Sequence, residues 1–124
     1  ALQEGLQDGT IDAICSHHEP LAKTAKQAPF AECKPGISNF DTFMGLACQL
    51  VKEGILTPEQ LVEKIALNPA KIAGIEASYH QMGGAVLVDP SLTWTVTKES
   101  MISQGKNTPF INSELTGKVE QVYF

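Results

Sequence analysis

Four side chains able to bind a metal or move a proton fall within one short run of this chain: Cys15, His17, His18 and Glu19. Imidazole, thiolate and carboxylate are all zinc ligands, and an imidazole also exchanges protons near neutral pH. The run Ile11 to His17 is mostly apolar and follows an Asp8-Gly9 turn, the pattern of a buried strand. Side chains alternate along a strand, so Ile11, Ala13, Cys15 and His17 share one face while Asp12 and His18 share the other. One ion could not easily take both imidazoles. A histidine packed at the strand end with a hydrogen-bond partner is therefore preferred to a self-contained metal site, and structural hydrogen bonds are the expected fate of Asp12 and His18.

The elements that must position this run can be read from the spacing of caps and apolar residues. Leu2 and Leu6, four apart, read as the tail of an amphipathic helix that Gly5 and Gly9 weaken or end. Residues Glu19 to Ser38 hold Pro20, Pro29, Pro35 and Gly36 and read as a loop. Ser38 is then expected to cap a helix with Asp41 three residues on. Phe40, Phe43, Met44, Ala47 and Val51 form its apolar stripe, and Gly54 ends it. Thr57-Pro58-Glu59-Gln60 is a capping box with proline at the first helical position, and Leu61, Val62 and Ile65 supply the apolar side of that helix. Asn68-Pro69 repeats the device for a short helix closing at Gly74. Beyond it come strand-like runs, Ala85 to Val88, Thr93 to Thr97 and Lys118 to Phe124, separated by Asp-Pro and Gly turns.

Composition bounds the class. The chain has 124 residues, 43% of them apolar, the size and balance of one globular unit. A formal charge of -5 offers no basic patch for a phosphate backbone, so a nucleic-acid partner is not expected. No apolar run approaches the roughly 20 residues that span a bilayer and no signal peptide opens the chain, so neither a membrane partner nor secretion is expected. Cys15, Cys33 and Cys48 are odd in number and irregularly spaced, which favours buried or inert thiols over disulfides or a zinc knuckle.

Several blocks, in order along nearly the whole chain, resemble those of dihydroorotases in the amidohydrolase superfamily. Asp8 to Leu21 is similar to the family's D-G-x-I-D-x-I-x-T-D-H-A-P-H. Pro35-Gly36-Ile37-Ser38-Asn39-Phe40-Asp41-Thr42 is similar to P-G-I-x-G-L-E-T, and Leu67 to Gly74 to L-N-P-A-R-I-L-G. Asn107-Thr108-Pro109-Phe110 with the later Leu115-Thr116-Gly117 resembles the C-terminal S-x-N-T-P-F-x-G-x-x-L-x-G. Departures are as informative as matches. His17 stands where the family has the Asp that binds metal and shuttles the proton, and Leu21 where it has a His that contacts the substrate carboxylate. Asn39 and Asn112 stand where glycine is usual, and Gly84 where an Asp is usual.

The resemblance implies an α/β fold: the last strand and following helices of a (β/α)8 amidohydrolase barrel over 1-75, then terminal strands of a small β domain over 76-124. It places His17 at the barrel mouth, Pro35 and Gly36 in a substrate loop, and the family's other zinc ligands upstream, so no catalytic or metal residue is assigned here. A neutral imidazole carries no charge to offset the metals, and a metal-bound nitrogen cannot also take the proton of the nucleophilic water. The implied function is a catalytically inactive dihydroorotase-like protein, cytoplasmic and oligomeric, serving as structural partner of aspartate carbamoyltransferase. An active zinc-dependent cyclic amidohydrolase is the alternative. Because a lone barrel strand and open sheet edges leave backbone groups unpaired, the segment is expected to fold against the remainder of its own chain.

Overall fold

The computed structural model describes residues 1–75 and 84–124. Helices α1 (Leu2–Gln7), α2 (Phe40–Lys52), α3 (Pro58–Val62) and α4 (Asn68–Ile72) precede strands β1 (Ala85–Thr95) and β2 (Glu114–Tyr123), which pair antiparallel. Two 3-10 turns, Lys23–Lys26 and Phe30–Glu32, interrupt the loop expected from Glu19 to Ser38. The expected division after residue 75 meets 76–83, which lie outside the described residues.

The capping box at α3 forms as expected: the Gln60 amide N–H donates to Thr57 Oγ1 at 3.2 Å, and the Thr57 N–H donates to Gln60 Oε1 at 2.9 Å. Past Val62 the helix departs from expectation. Asn68 does not start a new helix, because α3 runs without a break through a π-helical turn, Glu63–Leu67, into α4. Proline has no N–H to donate and its ring crowds the carbonyl one turn back, so Pro69 inside a helix forces the hydrogen-bond ladder to change. The Asn68 N–H reaches back five residues to the Glu63 carbonyl. The Lys64 carbonyl, whose π partner would be the nitrogen of Pro69, is then free to accept from outside the helix. It accepts the Ile14 N–H at 2.9 Å.

That contact docks the run Ile11 to Ser16, which is extended but, among the described residues, has no strand beside it. Its backbone groups are met by side chains and loops instead. The buried Lys64 amino group donates to the Ile11 carbonyl, Asn68 Nδ2 donates to the Asp12 carbonyl at 2.9 Å, and the Ile11 N–H donates to the Gly5 carbonyl at 2.8 Å. The strand expected here is present as an extended segment, with these groups in place of barrel neighbours.

Helix α2 lies between two apolar clusters. Ala47, Leu56 and Leu61 form the first, with Leu6, Ile14, Leu50, Val51, Ile55 and Ile65 packed around them; Val96, Met101 and Leu115 form the second, with Leu46, Trp94 and Phe110. Two-sided packing corrects the single stripe expected on α2. Phe40 is exposed, whereas Thr42, Gly45 and Cys48 are buried with Ala47. Val62, expected on the apolar side of α3, is also exposed.

The two runs expected at Ala85 to Val88 and Thr93 to Thr97 are one strand with a bulge between Asp89 and Thr93. Asp89 Oδ1 accepts from the Ser91 N–H, the Ser91 hydroxyl and the Leu92 N–H, an Asx turn that absorbs Pro90 without ending the strand. Asn112, in a position where the related motif has glycine, adopts φ +67°, a conformation asparagine tolerates. Strand β2 meets α2 through glycines: a Cβ on Gly117, whose φ is +102°, would lie 2.7 Å from Cys48 Cβ, and one on Gly45 would lie 3.1 Å from the Gly117 carbonyl oxygen. Trp94 Nε1 donates to that carbonyl at 3.0 Å.

This contact separates two glycine substitutions. Gly117→Ala is expected to lower stability by about 1–3 kcal/mol through forced backbone and a clash with Cys48. Gly54→Ala, at φ +71° with open space around it, is expected to cost only about 1 kcal/mol. Thermal unfolding of the two variants checks this, and equal losses would mean that the helix and strand are not tightly apposed.

Candidate functional site

Chemistry was expected at the end of the Ile11 to His17 run, and there the chain turns. His17 has φ +44° and is exposed, with its N–H directed at Cys15 Sγ at 3.4 Å. Cys15 is exposed as well, so of the two expected readings burial does not hold for it, while Cys33 is half-buried and Cys48 buried. Burial pushes the Cys48 thiol pKa up from its ordinary value and so keeps it protonated.

His18 turns the other way and takes a structural role. Its Nδ1 accepts the N–H of Asn39 at 3.1 Å and that of Phe40 at 2.9 Å, so it satisfies two of the donors left open at the start of α2. The ring meets Phe40 edge-on at 5.8 Å. This arrangement corrects the expected cap. Ser38 is fully buried and its hydroxyl finds no partner among the described residues, because an imidazole from 21 residues upstream already holds the helix end.

Asp41, expected to close a box with Ser38, instead reaches the distant segment that precedes the Asn107 motif. Its carboxylate accepts the Ile102 N–H at 2.7 Å, the Ser103 N–H at 3.3 Å and the Ser103 hydroxyl. Partial burial works to raise its pKa, but these hydrogen bonds outweigh it and hold the carboxyl below the usual carboxylate range.

Asn107 joins three pieces of backbone at the same end. Its Oδ1 accepts the Leu21 N–H at 2.7 Å, its Nδ2 donates to the Glu19 carbonyl at 2.9 Å and to the Gly36 carbonyl at 3.4 Å, and its own carbonyl accepts the Ser38 N–H at 3.1 Å. Lys26 adds a bond to the Gly36 carbonyl at 2.9 Å. Ile37 bridges His18 in parallel, its carbonyl accepting the Glu19 N–H at 2.8 Å. Close approach requires glycine at two points. A Cβ on Gly36, at φ +92°, would lie 2.5 Å from Glu19 Cβ, and one on Gly105 would lie 2.4 Å from the Leu21 nitrogen.

The structure therefore gathers His17, Leu21, Pro35 and Gly36 at one end of the fold within a hydrogen-bonded scaffold. No group of three or more His, Cys, Asp or Glu side chains that could hold a metal ion occurs among the described residues. Where the related motif has Asp, the structure has the exposed imidazole of His17. Sequence reading expected structural hydrogen bonds for His18 but not its place at the helix start, and it missed the roles of Asp41 and Asn107. Their partners lie 21 to 88 residues away, although the Asn-Thr-Pro-Phe match already marked Asn107.

His18→Leu is expected to cost about 1 kcal/mol, the usual worth of a helix cap, with His18→Asn recovering part of it, as read by denaturant unfolding. Asp41 has a depressed folded-state pKa, so its contribution is full above the unfolded carboxyl value of about 3.9 and fades as pH falls through the lower folded value. The stability gap between wild type and Asp41→Asn is expected to be constant near neutrality and to close in that acidic window.

No family model matches the chain. In sequence it is 43% identical to the dihydroorotase of Syntrophus aciditrophicus over 122 residues, 96% of this chain and 29% of that protein. It is 38% identical to a dihydroorotase-like protein of Pseudomonas aeruginosa, again over 96% of this chain and 29% of the relative. In fold it matches D-hydantoinase with a TM-score of 0.84 at 21% identity, covering 99% of this chain and 29% of that one. The dihydropyrimidinase of Brevibacillus agri matches with a TM-score of 0.88 at 20% identity, covering 98% and 29%. The chain thus spans under a third of the length of these relatives, and the helices with their two-stranded sheet fit the C-terminal part of such a barrel protein. By sequence the chain matches the C-terminal part of dihydroorotases, and by fold it matches part of a D-hydantoinase and of a dihydropyrimidinase.

Proposed function

We propose that the protein is a dihydroorotase-like member of pyrimidine metabolism that does not hydrolyse dihydroorotate, and that it serves as a structural partner of aspartate carbamoyltransferase. The observation that carries this reading is the strand end. An exposed imidazole at φ +44° stands at His17 in place of the metal-binding, proton-shuttling carboxylate. Leu21 stands in place of the substrate-binding His, and its N–H is committed to Asn107. Loss of the carboxylate removes both a metal ligand and the base, and each role alone supplies orders of magnitude in rate. Loss of the His is a second, independent defect. The likeness to a relative named dihydroorotase-like protein is in keeping with such a role.

Under this reading the scaffold at the strand end is retained because it holds the fold, and the function lies in surface offered to another subunit. Dihydroorotase activity and zinc content of the complete protein test the first part, with wild type beside a His17→Asp, Leu21→His double substitution. No activity and little bound zinc are expected in the wild type. Ring opening of dihydroorotate, hydantoin or dihydropyrimidine by the wild type would instead make it a working cyclic amidohydrolase. Gentle copurification tests the second part: association with aspartate carbamoyltransferase is expected, and its absence would remove the partner assignment.

A further inference from the structure

Asn39 stands where the related motif carries glycine, yet it has φ -124°, a conformation open to any residue, so nothing in its backbone calls for glycine. Its side chain is committed at both ends. Nδ2 donates to the Ser16 carbonyl at 3.0 Å, across 23 residues of chain and next to His17. Oδ1 accepts the hydroxyl of Thr42 at 2.9 Å, and Thr42 is fully buried in α2. A glycine could make neither bond. The backbone N–H of the same residue goes to His18, so one residue makes two bonds to the strand end and one into the helix.

We propose that Asn39 is a latch that fuses the Gly36–Asn39 loop, the Ser16–Glu19 strand end and the first turn of α2 into one fixed unit. In that unit the N–H groups of Asn39 and Phe40 and the carbonyls of Ser16 and Gly36 are all engaged within the chain. A ligand that needed those backbone groups would have to displace three or more hydrogen bonds at once. The latch is thus a built-in contact that keeps these backbone groups engaged within the chain. It rests on the non-catalytic reading only in that a loop with no ligand to admit has no need to move.

Amide hydrogen exchange on the complete protein tests it, comparing wild type with Asn39→Gly and Thr42→Val. With Asn39→Gly, exchange at residues 37–42 is expected to accelerate tenfold or more, while Leu46 to Val51 in the same helix stay as protected as in wild type. Thr42→Val, which removes one of the two side-chain ties, is expected to give a smaller acceleration confined to the same residues. Unchanged exchange at 37–42, or equal acceleration along the whole of α2, would overturn the latch. Should Asn39→Gly fail to fold, Thr42→Val decides alone by the same criteria. An active wild-type enzyme would sink the non-catalytic reading without touching this result, so the two failures are distinguishable.

Discussion

Every backbone N–H and C=O that leaves water needs a partner, and that requirement shapes the N-terminal half of this chain more than any apolar contact does. An extended run with no strand beside it has two rows of such groups. Here the partners are assembled from several sources: a carbonyl released by Pro69, the amino group of the buried Lys64, the amide of Asn68 and the carbonyl of Gly5. Where the run ends, the same requirement appears in reverse. The opening turn of α2 presents free N–H groups, and the acceptor is the imidazole of His18. Strand and helices are therefore each other's hydrogen-bonding environment, and Asn107 and Asp41 extend the arrangement to the segment before β2.

Much of this fold was legible in the sequence where the cause is local. The Thr57 capping box, the glycine stop at Gly54, the change to strand-like runs after residue 84 and the turn at Asp89-Pro90 all depend on residues within four positions of one another. Ser38 and Asn68 show where local reading fails. Each has the chemistry of an N-cap, but His18 takes the helix end that Ser38 would have capped. Asn68, with the helix running through it, uses its side-chain N–H instead and donates to the Asp12 carbonyl. The stripe on α2 was misread for a related reason: one apolar face is expected of a helix packed on one side, and α2 is packed on two.

The candidate site was legible mainly through resemblance. The departures at His17, Leu21 and Asn39 can be seen only against the related motifs, and residue chemistry alone would have left Cys15, His17, His18 and Glu19 as an unresolved cluster. The structure divides that cluster by orientation. Cys15 and His17 are exposed, and His18, past the turn that His17 makes at φ +44°, faces the helix. What no pattern could supply is that His18, adjacent to the altered position, holds the helix start.

The π-helical turn at Glu63–Leu67 has an evolutionary consequence. A π turn holds one more residue than the α-helical turn it replaces, so a single-residue deletion there would let the ladder close as an ordinary helix. Such a deletion would leave the residues after it in phase, because a π turn and an α turn each close one revolution. Insertions and deletions are usually tolerated in loops and resisted in helices for reasons of packing. In this segment the π turn gives the helix one place where the count of residues could change without turning the face it presents, while the missing N–H of Pro69 keeps a backbone oxygen spare.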